Sequence, residues 1–240
     1  VVCFSFCHRF SRSGRTFYKR FCIVLVFFPA FCISDHNSMF NDFVTCRNGT
    51  FSDKGNQDYT FCTVSHLRHL KGHDLLLPAF AKALEKYPFL KLKIGGDGVE
   101  AANLRRLAQE LGITHAVSFL GALTTDEVLD LMRQSDAFVL ASRTETFGVV
   151  FIEALSQGLP VIATMCGGPQ SIVTPENGIL VPTENIPALT DALIEMYENR
   201  ERFDHEKLRR DCLAEFSEEV IASSLIRTFE QIVGEKQKQP

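Results

Sequence analysis

From residue 59 onward, two hydrophobic periodicities alternate along the chain. Short apolar runs rich in aromatic and β-branched residues predict strands, at 59–67, 89–96, 115–121, 136–142, 159–164 and 177–182. Apolar residues at helical spacing predict helices between and after them, at 72–88, 100–112, 124–135, 148–158, 186–199, 201–215 and 217–235. Near-continuous apolar strands alternating with helices indicate a parallel sheet that is buried on both faces. The pattern therefore predicts a doubly wound, Rossmann-like α/β domain over residues 59–235.

The first 58 residues have a different composition. Residues 1–34 contain five basic side chains and no acidic one, whereas the whole chain has a net charge of −4, so the remainder carries −4 − 5 = −9. The apolar run at 21–34 follows a basic segment, as in a signal peptide or a membrane anchor. Pro29 interrupts this run, which is shorter than the roughly 20 residues of a spanning helix. We expect an atypical, poorly ordered leader over residues 1–58, with targeting as the alternative, and a solvated tail at 236–240.

Charge and cysteine usage narrow the class of protein. A net charge of −4 gives no reason to expect a nucleic-acid partner. Cys62, Cys166 and Cys212 lie scattered in apolar contexts, as reduced core cysteines of cytosolic proteins do. The composition therefore favours a globular protein of the cytoplasm.

The stretch "SRTETFGVVFIEAL" at 142–155 places Glu145 and Glu153 on either side of an apolar run. Gly148 lies where the predicted helix begins, so backbone N–H groups there can face an anion. A carboxylate among apolar neighbours needs hydrogen-bond donors to offset its desolvation, and the diol of a sugar or ribose supplies two. The spacing also fits an ordinary polar stripe, because Glu153, Ser156 and Gln157 lie at i, i+3 and i+4.

Several motifs, in order, resemble those of one enzyme family. "SRTETFGVVFIEALSQGLPVIAT", followed by "GGPQSIV" and "NGILVP", resembles the E-x7-E signature and its sequel in family 4 glycosyltransferases. "TVSHLRHLKGHDLLLPAFAKAL" resembles the V-G-R-L-x-x-x-K-G opening of that family's C-terminal domain, and "KIGGDG" and "VSFLGAL…LMRQSDAFVLAS" match intermediate segments. The resemblance covers about residues 59–235. It implies the C-terminal, donor-binding half of a GT-B fold, in which two Rossmann-like domains face each other.

The resemblance also implies an activity. The family transfers a sugar from a nucleotide-diphosphate sugar to an acceptor with retention of configuration, which here implies a glycan or lipid-linked acceptor and polysaccharide biosynthesis. No cofactor and no divalent metal are expected, and the chain has no D-x-D motif. Peripheral association with the membrane surface is an alternative to a purely cytoplasmic location. Residues 1–58 do not resemble the family's acceptor-binding domain, so we expect that domain to be missing and leave open the activity of the chain alone.

Carried over position by position, the resemblance assigns roles to five residues. Lys71 would meet the donor diphosphate as a point charge. Phe147 and Gly148 would offer backbone N–H groups to the same phosphates. Glu145 would contact the transferred sugar near the reacting centre, as the catalytic residue. Glu153 would hold the nucleotide ribose.

The chain departs from the family where Gly-Arg is common, because Ser65 and His66 stand there. These two residues are also expected in the donor site. Histidine gives at most two donors and is charged only below about pH 6.5, which predicts tighter donor binding as the pH falls. Arg68 and Arg143 are candidates to replace the missing arginine.

Other readings stay open at this point. A non-catalytic nucleotide-sugar-binding module or a sugar-nucleotide epimerase would share much of the pattern. A phosphorylase would need a pyridoxal cofactor, for whose lysine we find no motif. His66, His69 and His73 have the spacing of metal ligands but straddle a strand end, a loop and a helix start, so we expect no metal site.

Overall fold

Six parallel strands form one sheet in the computed structural model, which describes residues 58–236. The predictions for the leader and the tail lie almost entirely outside these residues. The strands are listed in chain order as β1 (Thr60–Val64), β2 (Lys91–Gly95), β3 (Val117–Gly121), β4 (Ala137–Leu140), β5 (Val161–Thr164) and β6 (Gly178–Val181).

The strand order in the sheet is β3-β2-β1-β4-β5-β6, and every neighbouring pair is parallel. This order belongs to the Rossmann fold, and its direction of winding reverses between β1 and β4. The predicted doubly wound parallel sheet is therefore confirmed. In such sheets, ligands bind beyond the carboxyl ends of the strands at the point of reversal.

Seven α-helices occur within the described residues. They are α1 (His73–Lys86), α2 (Ala101–Glu110), α3 (Thr125–Arg133), α4 (Val149–Ser156), α5 (Ile186–Glu198), α6 (His205–Phe216) and α7 (Glu218–Lys236). Helix α1 packs against α2 and α5, whereas α4 packs against α6. Right-handed crossovers place α3 on the same side as α4, so helices cover both faces of the sheet.

The middle of the sheet is buried because its strands are predominantly apolar. All four residues of β4 and of β5 are buried. Phe61 of β1 meets Phe80 of α1 edge-on, with ring centroids 6.5 Å apart. On the opposite face, Phe138 of β4 meets Phe151 of α4 in the same way, at 5.7 Å. These two aromatic pairs fix α1 and α4, the helices that begin at the point of reversal.

A side-chain cap sets the start of α3. Thr124 caps α3, since its hydroxyl accepts a hydrogen bond from the Glu127 N–H at 3.3 Å and the Glu127 carboxylate accepts from the Thr124 N–H at 2.7 Å. Three short 3-10 turns were not predicted, namely His69–Lys71, Gly168–Ser171 and Arg200–Arg202. The first two follow the carboxyl end of a strand, where they shape the loops described below. The third lies where the helix at 201–215 was expected to begin, so that α6 starts later, at His205.

The described residues fall into two compact units, 58–218 and 219–236. The second unit consists of nearly all of α7, in which Val220, Ile226 and Phe229 are exposed. The six-stranded sheet and all the residues discussed below belong to the first unit.

Candidate functional site

The loop after β1 and the loop after β4 meet where the winding of the sheet reverses. Gly72, which precedes α1, has a φ of 66°. A Cβ atom at this position would lie 1.9 Å from the carbonyl oxygen of Ala141, the residue after β4. Only glycine allows this approach, so the start of α1 lies directly against the end of β4.

Lys71 and Glu145 form an ion pair across these two loops. The Lys71 Nζ lies 2.5 Å from Oε2 of Glu145, and the two side chains are 27% and 16% exposed. Lys71 ends the 3-10 turn His69–Lys71, and Glu145 lies in the loop that leads into α4. The structure thus brings together the predicted phosphate-binding cation and the predicted sugar-binding carboxylate.

The loop after β5 joins the same site through the backbone of Glu145. Glu145 forms a parallel β-bridge with Gly167, and the Gly168 N–H donates to the Glu145 carbonyl at 2.9 Å. A Cβ atom on Gly168 would lie 2.3 Å from the carbonyl oxygen of Phe147. The glycine pair of "GGPQ" therefore serves to let this loop approach the start of α4 closely.

Helix α4 begins at the site with a glycine in the left-handed region. Gly148 is its N-cap, with a φ of 97°, and the preceding Phe147 is buried. The first N–H groups of a helix lack partners within the helix and carry a partial positive charge. Gly148 and Phe147 thus lie where the sequence predicts backbone donors for an anion.

Ser65 and His66 lie on the same edge but differ in their surroundings. The Ser65 Oγ is 2.8 Å from Nε2 of His73, the first residue of α1, whereas His66 is exposed. Burial lowers the pKa of His73 to about 4, so its imidazole is neutral near pH 7. Ser65 is thus held by a neutral buried histidine, and His66 is available to solvent and ligands.

The family model for group 1 glycosyl transferases matches residues 50–212, which include this whole edge of the sheet. The chain belongs to the group 1 glycosyl transferases. Two curated relatives share the region. A D-inositol 3-phosphate glycosyltransferase of Corynebacterium urealyticum is 37% identical over 54% of this chain and 32% of its own length. A GDP-mannose-dependent monoacylated alpha-(1-6)-phosphatidylinositol monomannoside mannosyltransferase of Corynebacterium glutamicum is 33% identical over 56% of this chain and 37% of its own length.

Solved structures of GT-B glycosyltransferases share the fold. HepE of Anabaena, in complex with UDP and glucose, matches with a TM-score of 0.66 and 23% identity, over 73% of this chain and 49% of that chain. Sucrose-phosphate synthase of Thermosynechococcus elongatus matches with a TM-score of 0.64 and 28% identity, over 73% of this chain and 46% of that chain. The matched segment thus spans about a third of the length of the two curated relatives and about half of these two structures.

Glu153, the second glutamate of this glycosyl transferase motif, lies in α4 five residues after Gly148. Burial raises the pKa of its carboxyl, and the structure shows no hydrogen bond or ion pair from that carboxylate to another described residue. The neighbouring Ser156 is buried, with its hydroxyl donating to the Glu153 carbonyl at 2.7 Å. An exposed polar stripe along Glu153, Ser156 and Gln157 therefore does not form.

Arg143, a candidate to replace the arginine that is common in the family, already forms ion pairs with two carboxylates. Its guanidinium donates to both carboxylate oxygens of Asp74, at 2.7 and 2.8 Å, and to Glu184 at 2.5 Å. Sequence reasoning missed Asp74, in the first turn of α1, and Glu184, because contacts between residues that lie 69 and 41 positions apart leave no periodic signal. Arg68 is exposed on the same loop as His66 and stays a candidate.

Three buried side-chain polar atoms within residues 58–236 lack a hydrogen-bond partner, namely Thr63 Oγ1, His73 Nδ1 and Ser142 Oγ. Thr63 lies in β1, His73 begins α1, and Ser142 follows β4. Since buried polar groups are nearly always paired, such atoms mark places where a fold departs from its structural optimum. All three flank the loops that carry Lys71 and Glu145.

Two further properties concern the described residues as a whole. No group of three or more His, Cys, Asp or Glu side chains among them is arranged to hold a metal ion. Within the same range, no helix combines the length and the apolar character needed to cross a membrane.

Proposed function

We propose that this chain binds a nucleotide-diphosphate sugar at the point of reversal between β1 and β4. The observation that carries the proposal is the Lys71–Glu145 ion pair, located beside the start of α4. A diphosphate needs positive charge and N–H donors, and the sugar needs acceptors for its hydroxyl groups. This edge of the sheet offers both within one pair of loops.

The role of each residue follows from its chemistry. Lys71 supplies a positive charge to the diphosphate, and the N–H groups at Phe147 and Gly148 donate to its oxygens. On donor binding, the ammonium of Lys71 leaves its ion pair with Glu145 and pairs with the phosphates instead. The carboxylate of Glu145 is then free to accept hydrogen bonds from the sugar. Negative charge grows on the diphosphate as the sugar leaves, and preorganised positive groups stabilise it.

Glu153 suits the ribose of the nucleotide. Burial raises the pKa of its carboxyl. No residue within 58–236 donates to this carboxylate, and the two ribose hydroxyls would supply the donors. Ser65 and His66 border the diphosphate from the loop after β1. Ser65 would accept or donate through its hydroxyl, and His66 would add positive charge when protonated.

We further propose that the chain is the donor half of an enzyme that transfers the sugar to a glycan or lipid-linked acceptor with retention of configuration. Membership of the group 1 glycosyl transferases supports sugar transfer. Two further parts of the proposal are retention of configuration and the position of this domain in the C-terminal half. Both are supported by the resemblance of the E-x7-E signature and its neighbouring motifs to the family pattern. The acceptor would be bound by a second domain facing this edge, since a GT-B enzyme works in the cleft between two domains.

Calorimetric titration with UDP-, GDP- and ADP-sugars tests donor binding. We expect one nucleotide class to bind, and the corresponding nucleoside without phosphates to bind far more weakly. Absence of binding by all three classes would contradict the proposal. Transfer and retention are tested on the chain joined to an acceptor domain, by determining the anomeric configuration of the product with NMR. An inverted product would contradict retention alone.

A further inference from the structure

Arg143, the third residue after β4, makes an unusually complete set of contacts for a loop arginine. Its side chain is only 13% exposed. Nη1 and Nη2 donate to the two oxygens of Asp74 at 2.7 and 2.8 Å, and Nε donates to Glu184 at 2.5 Å. The planar guanidinium is thus engaged at all three of its nitrogen atoms, in the bidentate geometry that lysine cannot reproduce.

Two more bonds from Arg143 reach the turn that ends in Lys71. Nη1 also donates to the His69 carbonyl at 2.6 Å, and the Arg143 backbone N–H donates to the Leu70 carbonyl at 2.8 Å. Both residues that precede Lys71 are therefore bonded to Arg143. The turn His69–Lys71 has no buried residue and no side-chain N-cap, so apolar packing does not hold it in place.

The charges around Arg143 show why it is a poor phosphate ligand. Burial acts to raise the pKa of the Asp74 carboxyl, but the hydrogen bonds and charge of Arg143 outweigh this effect and hold the pKa below its usual value. Two carboxylates, Asp74 and Glu184, thus balance the single charge of Arg143. Glu184 makes its contact although its φ of 56° lies in the left-handed region.

We propose that Arg143 is a positioning residue, which sets Lys71 at the start of α4 and does not itself bind the diphosphate. The inference rests on the proposed function for what Lys71 binds. Arg143 and Glu145 are two residues apart in one extended loop, and each reaches the turn after β1. Arg143 bonds the backbone of that turn, whereas Glu145 pairs with its side-chain charge.

The first experiment needs no ligand. Hydrogen exchange is measured for the amides of residues 70–72, of which Lys71 and Gly72 donate within the turn to Arg68 and His69. We expect Arg143→Gln to increase their exchange rates by about tenfold, the change that follows loss of a charged hydrogen bond. Arg143→Lys and Asp74→Asn should give smaller increases, since each keeps part of the network.

Arg133→Gln provides the control, because this arginine also bonds a carboxylate, Asp130, at 3.3 Å and is partly exposed. It ends α3, away from the carboxyl edge of the sheet. We expect no change at residues 70–72 in this variant. Unchanged exchange in folded Arg143→Gln, Arg143→Lys and Asp74→Asn would overturn the positioning role.

The second experiment is a double-mutant cycle with Lys71→Met, measured by titration with UDP-glucose, GDP-mannose and ADP-glucose. For the nucleotide sugar that binds, Arg143→Gln should lower the affinity by about tenfold when Lys71 is present. In the Lys71→Met background, the same substitution should lower the affinity by less than about twofold. Equal weakening in both backgrounds would show that Arg143 binds the donor directly and would overturn the inference. If the unmodified chain bound no probe, the proposed function would fail, and hydrogen exchange alone would decide the role of Arg143.

Discussion

The ammonium of Lys71 and the carboxylate of Glu145 lie 2.5 Å apart, although 74 residues separate them in the chain. Each is expected to hold a different part of the donor, Lys71 the diphosphate and Glu145 the sugar. In the ligand-free chain the two side chains form an ion pair with each other. Under the proposed function, donor binding would replace this ion pair, so the two residues would compete as well as cooperate.

This competition predicts opposite effects of one substitution on two ligands. Glu145→Gln should tighten binding of the nucleoside diphosphate without sugar by roughly two- to fivefold, because a partly exposed ion pair contributes up to about 1 kcal/mol. The same variant should lose sugar transfer in a two-domain form of the enzyme. Calorimetry with UDP and GDP and a radiolabelled transfer assay measure the two effects.

Asp211→Asn is the matched control, since Asp211 also pairs with a lysine, Lys207, at 2.6 Å, within α6. It should leave both readouts unchanged. If Glu145→Gln weakened nucleoside diphosphate binding instead, the competition between Lys71 and Glu145 would not exist.

Glu153 gives a prediction in which stability and binding move in opposite directions. Its carboxylate is partly buried and has no partner among the residues that the structure describes, so Glu153→Gln should raise the melting temperature of the ligand-free chain. The same variant should weaken nucleotide-sugar binding by about 1–3 kcal/mol, the value of a hydrogen bond to a charged acceptor. Thermal unfolding and calorimetry test the two halves, with Glu110→Gln on the exposed face of α2 as the control.

The stability difference at Glu153 should depend on pH with a known sign. Burial raises the pKa of this carboxyl, so the folded state favours its protonated form. The unmodified chain should match Glu153→Gln at acidic pH and fall below it as the pH rises from about 4.3, the ordinary value of glutamate, through the raised value. A difference that shrank over this range would contradict the buried, unpaired state of Glu153.

His73 should make the fold sensitive to mild acid. Burial lowers its pKa to about 4, against about 6.5 in an unfolded chain. The contribution of His73 to stability is complete above pH 6.5 and is lost as the pH falls towards 4, amounting to about 3 kcal/mol. Denaturant unfolding across this range should show a flatter profile for His73→Gln, whereas the exposed His115→Gln should keep the profile of the unmodified chain.

Two glycines with positive φ allow the cost of backbone strain to be measured separately from the cost of a steric clash. Gly112 has a φ of 70° with nothing within 4 Å of an added Cβ, whereas an added Cβ on Gly148, with a φ of 97°, would lie 2.7 Å from Phe151 Cδ2. Gly112→Ala should cost about 1 kcal/mol from backbone strain. Gly148→Ala should cost at least about 2 kcal/mol more, since the buried Phe151 must move, and should weaken donor binding. Equal costs in chemical denaturation would show that α4 adapts freely.

Periodicity was enough to predict the strands, the helices and the parallel sheet, because the positions of apolar residues follow which residues are buried. The central strands are buried on both faces and therefore read as apolar runs. The Thr124 cap was likewise predictable, since its partner Glu127 lies three residues away. Long-range polar contacts leave no such record. Lys71 and Glu145 were each singled out by motif, but their pairing was not. Arg143 was a candidate to replace the missing arginine, because nothing in the sequence links it to Asp74 in the first turn of α1 or to Glu184.

The most direct test of the donor site compares two lysines that each pair with a carboxylate, Lys71 with Glu145 and Lys207 with Asp211. Lys71→Met and Lys207→Met are titrated by calorimetry with whichever UDP-, GDP- or ADP-sugar binds the unmodified chain. We predict that Lys71→Met weakens binding by at least about tenfold, as expected for loss of a charged contact to phosphate, and that Lys207→Met binds normally. Equal affinities for all three proteins would contradict a donor site at the junction of β1 and β4.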